Sequence, residues 1–464
     1  MASTSDPDNL GQIFKAYDVR GIVPDQIDQP LARAVGAAFV HVTGAADEPG
    51  AVVVGHDMRP SSPAMADAFA EGAASAGADV VKIGLASTDQ LYFASGSLGF
   101  PGAMFTASHN PAQYNGIKMC RAYAVPVGME SGLAEIRDRV ASGEVPSGTR
   151  QGTISESDVL SAYADHLLTL VPVHGRRLTA VVDAGNGMAG HTAPAVLDQL
   201  DLDVVRMYYE LDGTFPNHEA NPIEAANVAD LQAKVRDVGA DIGLAFDGDA
   251  DRCFLIDERG EIVNPSVLTA LIAARELERE PGASIIHNLI TSRAVPEIVT
   301  ELGGTPVRTR VGHSYIKATM AESGAIFGGE HSGHFYFRDF WKADSGMLAA
   351  LHALAALAAT EQPLSALLDK YSRFSSSGEI NSRVEDQSAV LTELENTYTG
   401  ADGVEIDHLD GLTATHDEWW FNVRASNTEP LLRLNAEGKD TTTMAKVRDD
   451  VLAVIRSQKE EMQA

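Results

Sequence analysis

The sequence predicts an α/β protein of three similar domains followed by a smaller α+β unit, and three observations carry that prediction. The chain has 464 residues, too many for one core and enough for about three or four domains at roughly 100 to 200 residues each. Three successive stretches alternate strand, helix, strand, helix, strand, the pattern of a layered sheet with largely parallel strands. The last strand of each stretch runs through a phenylalanine into a polar loop: "FTASHNP", "FDGDADR" and "FGGEHSGH".

In the first domain, taken as residues 9–150, strands are expected at "AVVVGHD" (51–57), "DVVKIG" (79–84) and "GAMFTAS" (102–108), with an Ala-rich helical stretch at 63–77. In the second, 151–257, they fall at "LTAVVDAGNG" (178–187), "DVVRMYYEL" (203–211) and "DIGLAFDGD" (241–249). In the third, 258–372, they fall at "SIIHNLI" (284–290), "TPVRTRVG" (305–312) and "GAIFGGE" (324–330). Linker signals lie at "GEVPSGTRQGT" (143–153), "DERGE" (257–261) and "SRFSSSGEINS" (372–382), leaving 373–464 as the α+β unit with its own loop, "RASNTEPLLR" (424–433). The most apolar run, "MLAALHALAALAA" (347–359), is too short to span a bilayer and reads as a buried Ala/Leu helix. Ligands of such sheets bind beyond the carboxyl ends of strands, so three polar loops at equivalent places suggest domains facing one cleft.

With 44% apolar and 22% charged residues, the composition is that of an ordinary soluble globular chain. A formal net charge of -30, from 65 acidic and 35 basic residues, argues against a nucleic acid or an anionic membrane as partner, since both would be repelled. An anionic ligand would need local cationic pockets. Cys120 and Cys253 are the two cysteines; they offer neither a disulfide framework nor a cysteine metal site, which suits a reducing cytoplasm. The opening "MASTSDPDNLGQIF" has neither the basic nor the apolar region of a signal peptide, and a cytoplasmic location is expected.

The loop "DGDADR" carries the sharpest inorganic signal. Asp247, Asp249 and Asp251 stand at i, i+2 and i+4, so on an extended backbone three carboxylates project to one side and can converge on a hard cation. An EF-hand is a competing reading, but its sixth position would be Arg252 instead of Gly, and strand-like "CFLID" follows where a helix should. A solvated acidic turn is the other. Three carboxylates leave coordination positions open, which suits Mg²⁺, an ion that keeps water or phosphate oxygens in its shell.

The loop "FTASHNPAQYNGIK" turns at Asn110-Pro111 and Asn115-Gly116 and displays Ser108 and His109 at a strand end. Ser108 lacks the G-x-S-x-G surroundings of a hydrolase nucleophile. If it carries a phosphoryl group instead, a cation on the three aspartates would neutralise that group. Phosphoryl transfer demands chiefly positioning and charge stabilisation, and Arg20, Lys118 and Arg252 are candidate cations.

Together "TASHNP", "DGDADR", "GEHSGH" and "RASNTEP", in this order, resemble the α-D-phosphohexomutases, and within them the bacterial phosphomannomutase/phosphoglucomutase branch; the resemblance runs from "FKAYDVRG" (14–21) to "RASNTEPLLR". It implies three similar mixed-sheet α/β domains and a C-terminal, TATA-binding-protein-like α+β domain around one deep cleft. It implies Ser108 as phosphoserine, His109 as its support, and Arg20 and Lys118 in proton transfer. It implies Asp247, Asp249 and Asp251 as Mg²⁺ ligands, completed by a phosphoserine oxygen. For the substrate, a sugar phosphate, it implies contacts from Tyr17, Arg252, His313, Glu330, Ser332 and His334. Arg424, Ser426, Asn427, Thr428 and Arg433 would clamp the phosphate that is not reacting. The implied activity interconverts hexose 6-phosphate and hexose 1-phosphate through a bound hexose 1,6-bisphosphate, in a monomer or homodimer.

Two positions depart from the family pattern. A lysine expected near residue 290 aligns with Ile290, so that contact is lost or supplied otherwise, and a usual Thr-Pro pair reads Thr88-Asp89, taken as structural. Phosphoglucosamine mutase is the nearest rival, but that branch reads "GEQSGH" and "R-x-SGTEP" where His331 and Asn427 stand here. A phosphatase acting through phosphoserine would release phosphate, and a non-catalytic sugar-phosphate sensor would have no need of Ser108 and all three aspartates.

Overall fold

The computed structural model describes residues 6–47, 50–143, 148, 150–425 and 431–457. The expected strands form at Ala51–His56, Asp79–Leu85 and Gly102–Phe105, at Leu178–Asp183, Leu202–Met207 and Ile242–Phe246, and at Ser284–Asn288, Thr305–Thr309 and Phe327–Gly329. Within each group the three strands pair in parallel. After each polar loop the chain then turns back on itself, so the sheets are mixed. Tyr114–Arg121 pairs antiparallel with Gly102–Phe105, Cys253–Ile256 with Ile242–Phe246, and Phe335–Phe337 with Phe327–Gly329. The first sheet extends past residue 150, because Ile154–Glu156 adds in parallel to Asp79–Leu85.

Local sequence explains the helices that matter for the site. Ser87 caps Thr88–Leu98 by accepting from the Gln90 N–H, and Ser345 caps Gly346–Ala358 by accepting from the Leu348 N–H. The Gly346–Ala358 helix is the expected Ala/Leu helix and is buried along its whole length. It belongs to a continuous apolar core that also takes Val53 and Leu91 from the first domain and Leu178 and Leu244 from the second. The first three domains are therefore welded by burial.

The fourth domain is an antiparallel five-stranded sheet, ordered Ser375–Arg383, Leu431–Gly438, Trp419–Ala425, Leu412–His416, Glu405–Asp407. Alternate residues such as Phe421, Val423, Leu432 and Leu434 enclose a separate core with Val390, Leu394 and Val451. Its junction with the third domain is a small apolar cluster of Leu289, Ile290 and Trp420, with Val311 against it. Ile290 thus packs against the fourth domain. No helix among the described residues is long and apolar enough to cross a membrane.

Candidate active site

Ser108 lies three residues past the carboxyl end of its parallel strand, at φ 50°. This left-handed conformation is unusual for a residue with a Cβ. Arg59 enforces it from beneath. Its buried guanidinium donates to the carbonyls of Ser108 (3.0 Å), Asn110 (2.7 Å), Pro111 (2.9 Å) and Tyr114 (3.0 Å), and through Nε to Asp57 (3.2 Å). Each of its three nitrogens has at least one acceptor, so the loop is held by its own backbone. Arg59 was not singled out in the sequence. The available signal was its place in "GHDMRP", a polar loop at the end of another parallel strand.

The three aspartates converge, but by a different route from the one expected. Residues 247–252 form a tight turn between Ile242–Phe246 and Cys253–Ile256, with Ala250 at φ 60°, so the carboxylates are gathered by a reversal of the chain and not by one face of an extended strand. Their ligand atoms lie within 4.8 Å of one another, all buried. The turn presses against the serine loop: a Cβ on Gly248 would stand 2.4 Å from the Ser108 carbonyl oxygen. Thr88 fixes it from the other side, its N–H on the Asp249 carbonyl (3.0 Å) and its hydroxyl on Asp249 Oδ2 (2.6 Å).

Ser108 Oγ donates to Asp247 Oδ2 (2.9 Å), lies 3.3 Å from His109 Nδ1 and accepts from Arg252 Nη2 (3.3 Å). Lys118 Nζ, on the returning strand, bridges Asp249 Oδ2 (2.7 Å) and Asp251 Oδ2 (2.6 Å). The remaining oxygens, Asp249 Oδ1 and Asp251 Oδ1, are buried without a hydrogen-bond partner. Two such oxygens in a buried cluster of three carboxylates fit a cation, so the donor set suits a hard divalent ion.

Electrostatics follow from burial and these pairings. Burial, set against the Arg252 guanidinium, pushes the Asp247 carboxyl up to about 8. Burial acts the same way on Asp251, but Lys118, His334 and Arg252 outweigh it and hold that carboxyl well below the usual range. Burial and then the Arg252 charge lower His109 to about 2, so its imidazole is neutral. Burial would lower Lys118, yet Asp249 and Asp251 more than reverse it, and the ammonium keeps its proton.

Ser108, His109, Lys118 and Arg252 line a cavity of about 490 Å³ together with Tyr17, Arg20 and His334, while the three aspartates lie behind its wall. Arg20 reaches Asn110 and Asp18 (both 2.5 Å) from a strand paired to the Lys118 strand. Lys317 and Asp344 join the lining, ion-paired at 2.8 Å. Neither was singled out from the sequence; Lys317 lies in "VGHSYIK" and is the cation that the third domain brings to the cavity wall. Glu330 stands behind His334, accepting from Tyr336 (2.8 Å) and the Gly312 N–H (3.2 Å), while Ser332 Oγ is 3.0 Å from His334 Nδ1. Gly312, at φ 132°, allows close approach: a Cβ there would lie 2.4 Å from the Tyr17 hydroxyl. His313 begins the next helix; its side chain is outside the described residues, as are Ser426, Asn427 and Thr428. Arg424 and Arg433 do not line this cavity and instead flank Glu379 on the fourth sheet.

Residues 11–146, 161–260 and 264–374 match the three alpha/beta/alpha domains of phosphoglucomutase/phosphomannomutase, and residues 379–454 match its C-terminal domain. The chain is 39% identical over 438 residues to phosphohexose mutases of Xanthomonas campestris, covering 94% of this chain and 97% of that one. The chain belongs to the phosphoglucomutase/phosphomannomutase family. A phosphomannomutase of Escherichia coli is 38% identical over 459 residues, 96% of this chain and 99% of that one. Among solved structures, a phosphoglucomutase/phosphomannomutase family protein from Burkholderia thailandensis superposes with a TM-score of 0.88 at 33% identity, covering 99% of both chains. The chain is accordingly an isomerase of the intramolecular phosphotransferase class, a hexose phosphate mutase.

Proposed function

We propose that this mutase interconverts hexose 6-phosphate and hexose 1-phosphate of mannose, glucose or both, with Ser108 as the phosphoryl carrier. The P–O bond to Ser108 Oγ breaks as the free sugar hydroxyl bonds to phosphorus, and the hydroxyl proton is relayed to the departing Oγ. The resulting hexose 1,6-bisphosphate turns over, and its other phosphate returns to Ser108. The observation that carries this reading is the position of Ser108 Oγ, at the cavity wall and in reach of Asp247, His109 and Arg252 together.

Asp247, Asp249 and Asp251 would hold Mg²⁺, which supplies charge neutralisation at the phosphoryl oxygens. Arg252 adds a cation on the same oxygens, and neutral His109 supports the serine side. As paired here Lys118 is charged, which supports a role as proton donor to the departing sugar oxygen. By resemblance to the family's sugar-reading residues, Glu330 and Ser332 behind His334 would take the O3/O4 edge of the sugar, which presents similarly in both orientations of the bisphosphate. Configuration at C2 lies outside that pair, which supports acceptance of both glucose and mannose.

The test is intact-mass analysis of purified protein combined with a coupled assay on glucose 1-phosphate and mannose 1-phosphate. A phosphorylated fraction should map to the "TASHNP" peptide and vanish with turnover in Ser108→Ala. Full activity in that variant overturns the reading.

A further inference from the structure

We infer that Glu379 is a resident counter-anion of the fourth domain's phosphate clamp, occupying its two arginines between ligands and limiting their grip on the sugar phosphate. The inference rests on the assignment of Arg424 and Arg433 to that clamp. The two arginines are direct register partners on the antiparallel strands Trp419–Ala425 and Leu431–Gly438, so their side chains share one face of the sheet. Like charges placed opposite each other repel. Glu379, from the adjoining strand Ser375–Arg383, lies between them, with Oε2 accepting from Arg424 Nη2 (2.6 Å) and Oε1 3.8 Å from Arg433 Nη1.

One carboxylate against two guanidinium groups leaves a net positive charge. It also leaves donors unused: Arg424 directs Nη2 at Glu379, while Arg433 stands 3.8 Å from that carboxylate with its side chain 36% exposed. An arginine carries five N–H donors, so Glu379 holds these side chains in place while leaving edges for a second anion. The charges of Glu379 and Arg424 both act on His331, so the pair stands within electrostatic reach of the "GEHSGH" loop.

A phosphate dianion seated on those free edges would share its arginines with a like-charged carboxylate. Its binding is weakened by that repulsion. A mutase that must release one phosphate and seize the other gains from such a limit, because binding that is equally tight throughout the cycle deepens the well without speeding the chemistry. The chemical class recognised is a phosphomonoester dianion.

The experiment measures glucose 6-phosphate binding by calorimetry in a Ser108→Ala background, and steady-state kinetics in the parent enzyme, for Glu379→Gln. Glutamine keeps the shape and removes the charge. The expected result is about tenfold tighter binding, the order of one contact to a charged group, with lower KM and lower kcat. Unchanged or weaker binding in a variant that melts normally overturns the inference. Should Glu379→Gln fold poorly, Glu379→Asp draws the carboxylate back from both arginines and should tighten binding by a smaller factor; no tightening there overturns it equally. An Arg424→Ala variant that still binds as the parent does would refute the clamp, and the inference with it. Loss of binding in Arg424→Ala with no response to Glu379→Gln would refute the counter-anion alone.

Discussion

Burial pushes the Asp89 carboxyl up to about 6, against the hydroxyls of Ser87, Ser345 and Tyr163, all of which donate to it. These donors come from the start of Thr88–Leu98, from Leu160–Leu170 and from the cap of Gly346–Ala358, so one carboxylate ties three domains. Below the ordinary value of 3.8 the group is protonated whether the chain is folded or not, and its contribution is fully present. Between there and about 6 only the folded chain keeps the proton, so that contribution drains away as pH rises through 6. At 1.36 kcal/mol per pH unit the loss is at most about 3 kcal/mol. Asp89→Asn is uncharged throughout, so its melting temperature should gain on the parent's between pH 5 and pH 7.5; a constant gap would mean that Asp89 keeps an ordinary pKa. Glu330 gives a second prediction of this kind. Glu330→Ala should lower kcat/KM for glucose 1-phosphate and mannose 1-phosphate together, each by about tenfold or more. A loss confined to one sugar would show that Glu330 reads C2.

Among the elements, the serine loop depends on Arg59, which holds four of its carbonyls. Arg59→Lys keeps the charge but cannot reproduce the fork, and should cost about 100-fold in kcat with KM little changed, as displacement of a reacting atom by about an ångström does. Steady-state kinetics beside a normal circular dichroism spectrum would check it, and an equal loss in KM would assign Arg59 to binding. Apolar strand runs such as "AVVVGHD" and the loops at their ends were legible, because periodicity and turn chemistry are local. Convergence of the aspartates was legible as a set, whereas the turn through Ala250 that produces it was not. Arg59 and Glu379 escape notice, and Thr88 reads only as structural, because their partners lie far along the chain: Thr88 meets Asp249, and Arg59 meets Ser108. Nothing local marks a single arginine as the keel of a distant loop.

For the whole molecule, the division of cores is decisive. Three domains share one apolar interior, and the fourth has its own, docked through Ile290, Leu289 and Trp420. Polar contacts reinforce that joint, since Glu437 accepts from the Trp420 indole (2.7 Å) and from the Arg293 N–H (3.1 Å). The fourth domain is therefore the part whose movement would leave the shared interior of the other three intact. Trp420→Ala should loosen it, so that hexose 1,6-bisphosphate escapes more often and activity becomes dependent on added bisphosphate. An assay with and without that compound decides the matter; equal independence in parent and variant would mean the joint does not retain the intermediate.

The left-handed backbone at Ser108 also bears on which sequences can descend from this one. Threonine offers the same hydroxyl, but its branched Cβ is poorly tolerated at positive φ, so the conservative neighbour is a poor heir. Asparagine visits that region readily, so its arrival would leave the fold intact and the hydroxyl gone. If Ser108 carries the phosphoryl group as proposed, sequences that give up the hydroxyl have a smooth path to a silent sugar-phosphate receptor, while those that keep it are confined to serine.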